Sequence, residues 1–261
     1  MADDGVVNAD TGESLPARWN ALGPGSNMWM NWEDDPRNAG TEGEGERETL
    51  LEYLRAYRLT LELKCADLDA EQLARRSVPP STMSLLGLVR HMADVERNWF
   101  RRVMAGQDAP PRYWSDDVAD ADWAGAVADP AVVAEAWQSW RDEVSFAEQY
   151  VAGTSDLGER GTMRDGSTVA LRDVIVHMIE EYARHAGHAD LLRERVDGRV
   201  GQLPPGGATP RTPDAGTGGP DRERARGLIR PPVRTMAAGS VLAVVVVGVV
   251  LLAGAPVAAG D

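Results

Sequence analysis

The hydrophobic positions between residues 46 and 198 repeat at helical spacing, and this pattern predicts a fold built from long helices. Capping residues and Pro or Gly punctuation divide the region into four segments. The predicted helices run from about Arg47 to Ala66, from about Met83 to Met104, from Pro130 to near Gly153, and from Ser167 or Thr168 to Gly198. Around "TMRDGST" the residues are compatible with a short hairpin. We therefore predict an all-α fold, a four-helix bundle with a long crossover.

The starts of the second and third helices are marked by residues that favour capping. Ser81 or Thr82 is the predicted N-cap of the second helix, and Asp129, followed by a proline, is the predicted N-cap of the third. The segment 105–128 between these two helices is too long for a tight turn in a bundle. We expect this segment, with its two tryptophans, to cover one end of the bundle.

The bundle region, residues 46–198, is flanked by segments of different composition. Residues 1–45 are rich in Gly, Asp, Asn and Glu, which predicts a mostly disordered arm. The residues of this arm that are able to dock are three tryptophans with their Met neighbours, Trp19, Trp29 and Trp32. Residues 199–234 form a Pro/Gly-rich linker that becomes basic towards its end.

The C-terminal segment 235–260 carries no charged residue, and its stretch "AAGSVLAVVVVGVVLLAGA" is long enough to cross a hydrocarbon core of about 30 Å. The pattern predicts a single transmembrane helix, and therefore a lipid bilayer as a partner. Five arginines precede this segment, namely Arg222, Arg224, Arg226, Arg230 and Arg234. Only Asp261 follows it, so the positive-inside bias predicts a cell-membrane location with the bundle on the cytoplasmic side.

Charge and cysteine content exclude several function classes. The chain has 261 residues and a formal net charge of -14, which argues against a nucleic-acid partner because phosphate binding requires a basic surface. Cys65 is the only cysteine, which excludes an intrachain disulfide framework and a cysteine-rich zinc module. Because Cys65 lies among leucines on the first predicted helix, we expect a buried structural cysteine rather than a reactive thiol.

The last predicted helix contains "HMIEEYARHAGHADLLRE", residues 177–194, with three of the four histidines of the chain. On a helical wheel with His177 at zero, the apolar stripe is centred at about 110°, with His185 at about 80° and Glu181 at about 40°. His185 therefore lies inside the stripe and Glu181 at its edge, whereas His188 lies further out at about 20°. An ionised glutamate against a core face is costly unless it is paired or bound to a metal.

The spacing Glu181-x-x-x-His185 places both side chains one turn apart on the same face, which is how one helix gives two ligands to one ion. A metal site then needs another ligand from elsewhere. The remaining histidine, His91, flanks the apolar stripe of the second predicted helix, and this position is compatible with pointing into the groove between helices. The pattern alone leaves two interpretations, a metal site or hydrogen-bonded histidines at the edge of the core.

Two stretches, "SVPPSTMSLLGLVRH" and "EEYARHAGHADLLRE", carry a family resemblance. With the sequence around them, residues 46–198 resemble the DinB-like superfamily of four-helix metalloproteins, which includes mycothiol-dependent maleylpyruvate isomerase. They are most similar to the actinobacterial mini-circle protein branch. In that superfamily the metal is held by one histidine on the second helix and a His/Glu-x-x-x-His pair on the fourth. The resemblance therefore implies His91, Glu181 and His185 as metal ligands.

The expected ion is zinc, because hard cations prefer more carboxylates than this set supplies. Two imidazoles and one carboxylate would leave the ion an open position, at which a thiol loses its proton near neutral pH. The resemblance implies an external low-molecular-weight thiol such as mycothiol as co-substrate, used for transfer to, or isomerisation of, a small electrophile. The alternative is a membrane-tethered, metal-binding or stress-associated module without turnover, whose site would be closed by four protein ligands.

The residues next to the implied ligands receive weaker assignments. His188 is either a fourth ligand or, in the interpretation we favour, a residue that holds a ligand in orientation. His177 is expected to be a surface histidine. Helical arginines such as Arg90 are expected to be solvated rather than part of the site. No side chain is assigned a catalytic role from the sequence.

Overall fold

The computed structural model describes residues 14–39, 44–115, 117–118 and 120–202. Two short 3₁₀ turns, Trp32–Asp34 and Pro36–Ala39, precede the first long helix. The α-helices are α1 (Glu46–Cys65), α2 (Ala70–Ala74), α3 (Leu85–Glu96), α4 (Ala121–Ala124), α5 (Pro130–Gly153) and α6 (Leu171–Asp197). The strands β1 (Arg160–Thr162) and β2 (Thr168–Ala170) form an antiparallel hairpin between α5 and α6.

Local capping determines where the helices that form the site begin. Helix α5 begins as predicted, because the Asp129 carboxylate accepts a hydrogen bond from the Ala131 amide. Helix α3 begins later than predicted, since Ser84 and neither Ser81 nor Thr82 caps it. Helix α6 begins at Leu171, because the residues expected to open it belong to the hairpin loop and to β2.

Helix α3 continues without interruption as a π-helical segment, Arg97–Met104. At its end the Ala105 amide donates a 2.9 Å hydrogen bond to the carbonyl of Phe100, five residues back, which is the bonding of a π-helix. The hairpin packs against this segment so closely that a Cβ on Gly161 would lie 2.6 Å from the Val103 carbonyl oxygen. Gly161 therefore allows the hairpin backbone to rest directly on the helix end.

The long helices pack in a chain of neighbours, with α6 against both α1 and α3, and α3 against α5. We call these four helices the bundle. The core between them is built from fully buried aliphatic and aromatic side chains, among them Leu86, Leu88, Met92, Phe100, Ile175 and Met178. Burial of such side chains stabilises the fold by about 1.5–3 kcal/mol each. This packing fixes α3 and α6 side by side, and these are the helices that carry the predicted ligands.

A charged network lies inside the bundle. The carboxylate of Glu96 is fully buried and accepts two 2.8 Å hydrogen bonds from the Arg58 guanidinium. It accepts a third, also 2.8 Å, from the hydroxyl of Tyr182. The Tyr182 hydroxyl in turn accepts from the indole N–H of Trp140 at 2.9 Å. Every polar group of the network has a partner, as buried charge requires.

Part of the N-terminal region packs on the outside of the bundle. Trp29 is 1% exposed, and three cations surround its ring, with Arg199, Lys64 and Arg193 at 3.8, 4.0 and 5.3 Å from the centroid. Backbone hydrogen bonds join this region to the residues after α6, including one of 2.9 Å from the Trp29 amide to the Gln202 carbonyl. One of the three tryptophans expected to be able to dock is therefore buried.

The predicted C-terminal membrane helix is corrected. Within the part of the chain that the structure describes, no helix has both the length and the apolar composition needed to cross a bilayer. The longest described helix, α6, is long enough to span a bilayer, but ionisable residues such as Arg184 and Asp190 recur along it and make it too polar. The segment 235–260, which was assigned to the span from its hydropathy, lies outside the described residues.

Three predictions depended on that span: the all-α class with a transmembrane helix, the bilayer as a partner, and a membrane location with the bundle on the cytoplasmic side. All three are corrected by the same finding. The structure is mostly helical, and it also contains a small two-stranded sheet that the predicted class omitted.

Candidate metal centre

The three residues implied as ligands lie together at the contact between α3 and α6. His91 comes from α3, while Glu181 and His185 lie one turn apart on α6. One ligand atom from each residue can be chosen so that all lie within 4.8 Å of one another. Nε2 of His185 is 3.5 Å from Oε2 of Glu181, and the His91 and His185 ring centroids are 4.8 Å apart.

Hydrogen bonds at the outer side of both imidazoles determine which nitrogen faces the site. Nδ1 of His91 is 2.9 Å from Oδ2 of Asp122, and because a carboxylate accepts, this nitrogen carries the proton. Nδ1 of His185 is 3.2 Å from Nδ1 of His188. Both rings therefore use Nδ1 for a protein partner and keep Nε2 for a ligand role, which is the usual arrangement of metal-binding histidines.

The charges of the cluster suit a divalent cation. The adjacent His185 imidazole lowers the pKa of Glu181, and nearby His177 lowers it further, against the opposing effect of burial. Glu181 is thus held as a carboxylate. Burial lowers the pKa of His188, with help from neighbouring His185 and Arg184, so its imidazole favours the neutral form that can accept a hydrogen bond.

Aromatic side chains surround the cluster. The ring of Trp123 stacks on His91, with centroids 5.2 Å apart and planes 20° from parallel. On the other side, the ring of Trp99 lies 4.7 Å from that of His177, whose Nε2 is 3.6 Å from Oε1 of Glu181. His177 was expected to be a surface histidine, but its side chain is only 22% exposed and faces the candidate ligand. These rings shield the cluster from solvent.

Short helix α4 brings Asp122 and Trp123 to the site, and neither role was predicted from the sequence. Arg90, expected to be solvated, is buried and donates a 2.8 Å hydrogen bond from Nε to the Asp122 carbonyl. A Cβ on Gly87 would lie 2.5 Å from the Trp123 ring. The missing side chain at Gly87 therefore leaves room for this ring to pack against α3. The available signal was the length of the 105–128 segment, which indicated a cover for the bundle but not its contact with His91.

The donor set fits a catalytic zinc site. Two imidazole nitrogens and one carboxylate are a common set of three protein ligands for zinc that keeps an open position. Within the described residues, no further His, Cys, Asp or Glu joins this group of three. His188, the candidate fourth ligand, lies outside the group, with its Nδ1 against His185. This position agrees with an orienting role.

We expect Cys65 to resist alkylation in the native protein. It is buried at the end of α1, and burial raises the pKa of its thiol to about 12. Roughly one molecule in ten thousand would then carry the reactive thiolate at pH 8. Mass spectrometry after a short iodoacetamide treatment should show unmodified native protein and full modification in denaturant. Rapid native labelling would instead make Cys65 a candidate for the reactive thiol.

Of the comparisons with known proteins, the family match agrees with the DinB-like resemblance noted in the sequence. The family model for mycothiol-S-transferase matches residues 49–198, which contain all three candidate ligands. No curated protein matches the chain significantly. A solved structure titled as a conserved protein of a locus from Enterococcus faecalis is similar with a TM-score of 0.44 and 17% identity, over 60% of this chain and 99% of that one. Since the family match spans more than half of the chain, the protein belongs to the DinB-like mycothiol-S-transferase family.

Proposed function

We propose that this protein is a metal-dependent enzyme that binds mycothiol, or a related low-molecular-weight thiol, and uses it for transfer to, or isomerisation of, a small electrophile. The observation that carries the proposal is the convergence of His91, Glu181 and His185 from two helices, with both imidazoles presenting Nε2. Membership of the mycothiol-S-transferase family supports mycothiol as the thiol. We further propose that the chain belongs to the mini-circle branch of the superfamily.

His91, Glu181 and His185 are the proposed ligands of one divalent ion, with zinc as the proposed metal. When bound, such an ion supplies Lewis acidity, which lowers the pKa of a thiol at the open position so that the thiolate is available near neutral pH. Glu181 contributes the negative charge of the set, and the neighbouring imidazoles of His185 and His177 lower its pKa.

The other residues of the site hold protons and exclude water. His177 Nε2 lies 3.6 Å from Glu181 Oε1, which places it to accept the proton that a thiol releases in the site. His188 Nδ1 accepts from His185 Nδ1 and keeps that ring in orientation. The Trp123 and Trp99 rings cover the histidines and reduce the number of water molecules that compete with the thiol.

A purely structural metal site is the rival function, and the number of ligands argues against it. Structural zinc sites are normally closed by four protein ligands. The group formed by the described residues has three, which supports an open position and therefore a site that binds an exogenous molecule.

Titration of the cobalt-substituted protein with mycothiol tests the proposal. We expect a thiolate-to-cobalt charge-transfer band that grows with thiol concentration and saturates, because the thiol binds directly at the open position. The band should be absent from Glu181→Ala, while Glu180→Ala, which removes the exposed carboxylate next to it, should keep the band. If wild-type protein binds cobalt but no low-molecular-weight thiol changes its spectrum, the structural role is supported instead.

A further inference from the structure

We infer that Asp122 is a positioning residue for the metal centre, whose carboxylate holds His91 in the tautomer that offers Nε2 as a ligand. The inference rests on the proposed metal-binding function. Oδ2 of Asp122 lies 2.9 Å from Nδ1 of His91, and the Asp122 side chain is 8% exposed. Such a carboxylate fixes the position of the ring proton and raises the basicity of the opposite nitrogen.

The orientation of the carboxylate is fixed on its other side as well. Oδ1 of Asp122 accepts a 3.0 Å hydrogen bond from the backbone amide of Trp123, so each oxygen has one partner. The main chain at this position is held independently, since Arg90 binds the Asp122 carbonyl at 2.8 Å. Arg90 and His91 are adjacent on α3, and they contact the carbonyl and the carboxylate of the same residue.

The buried carboxylate of Asp122 is paired with an imidazole and not with the nearby Arg90 guanidinium. The guanidinium of Arg90 donates its hydrogen bonds to the main chain of α4, at the carbonyls of Asp122 and Ala121. The hydrogen-bond partners of the carboxylate itself are the His91 imidazole and one amide. A buried carboxylate is costly without a compensating group, so its place against an imidazole is explained by what it does to that ring.

The two histidines of the centre therefore differ. The partner of His91 is a carboxylate, that of Asp122, whereas the partner of His185 is another imidazole, that of His188. An anionic acceptor strengthens the donor ability of the ring more than a neutral acceptor does. Loss of the Asp122 carboxylate should consequently weaken metal binding more than loss of the His188 ring.

The test compares zinc dissociation constants, measured by competition with a chromophoric chelator, among four variants of the full chain. We expect Asp122→Ala to bind zinc about 10- to 100-fold more weakly than wild type. Asp122→Asn should fall between the two, because its amide oxygen still accepts from His91 but carries no charge. His188→Ala should lose less affinity than Asp122→Ala.

Asp94→Asn is the matched control for loosening of the segment 105–128, which covers the bundle and contains Asp122. Asp94 also anchors that segment, through hydrogen bonds of 2.7–2.9 Å from the backbone amides of Arg112, Tyr113 and Trp114, and these bonds do not involve His91. We expect its zinc affinity to stay within about twofold of wild type, since the hydrogen bonds of Asp94 orient the backbone of residues 112–114 and not a ligand ring. Equal losses in Asp94→Asn and Asp122→Ala would overturn the inference.

A second readout separates this inference from the proposed function. In ¹⁵N spectra of the metal-free protein, His91 should be protonated at Nδ1 in wild type and should shift towards the Nε2-protonated form in Asp122→Ala. If wild type binds no metal, the proposed function fails, while the tautomer still tests the role of Asp122. If zinc affinity and tautomer are both unchanged in Asp122→Ala, the role of Asp122 is wrong and the metal site stands.

Discussion

Alanine at His91, Glu181 or His185 is expected to lower the metal content of the purified protein from about one divalent ion per chain to near zero. Each substitution removes one of three proposed ligands, and the described residues supply no replacement within the group. Loss of one ligand leaves too few donors to hold the ion against water. The measurement is elemental analysis of wild type and the three variants, purified in parallel after exposure to zinc.

His177→Ala is the control for this experiment. It removes the same kind of side chain from the same helix, one turn before Glu181, but it is not in the ligand group. Its metal content should equal that of wild type. Full occupancy in all three ligand variants would show that the cluster is not a metal site and that its histidines are hydrogen-bonded groups at the edge of the core.

Glu96→Gln is expected to lower the free energy of unfolding by about 3–5 kcal/mol, because removal of one member of a buried ion pair leaves the other uncompensated. The Arg58 guanidinium would lose the only carboxylate that binds it with two hydrogen bonds in the described structure. Tyr182 would also lose a charged acceptor. Denaturant unfolding of metal-free protein at pH 7 measures the change without a contribution from the metal.

Glu180→Gln provides the comparison. Glu180 pairs with Arg184 on the exposed face of α6, at 3.8 Å and with both side chains about two-thirds exposed. Surface pairs of this kind contribute at most about 1 kcal/mol. A similar small effect for Glu96→Gln would mean that the buried network is dispensable for stability.

Helical periodicity accounts for much of the candidate site, but not for all of it. The spacing of Glu181 and His185 placed both on one face of a helix, and the structure has them one turn apart on α6. The pattern was compatible with His91 as a further ligand but did not require it, and the resemblance implied it. Asp122 could not be found at all, because it lies 31 residues from His91 in a segment without periodicity. Contacts of that kind depend on how a loop folds back, which no local pattern encodes.

The fold shows the same division between local and long-range information. Asp129 was predicted as a cap from local sequence and acts as one. The burial of Trp29 depends on cations contributed by α1, α6 and the segment after α6, and nothing near Trp29 in the sequence indicates them. The membrane prediction relied on the hydropathy of residues 235–260 and on the arginines before them, and the described residues contain no helix that supports it.

The docking of Trp29 affects the choice of limits for shorter fragments of this protein. The family match begins at residue 49 and ends at residue 198, but Lys64 and Arg193 lie against a tryptophan that precedes this range. Lys64 also donates a hydrogen bond to the carbonyl of Gly201, a residue that follows the matched range. A fragment trimmed to the family limits would lack Trp29 and Gly201, and both cations would lose these contacts. We therefore expect a fragment that includes both flanking segments to be more stable than one trimmed to residues 49–198.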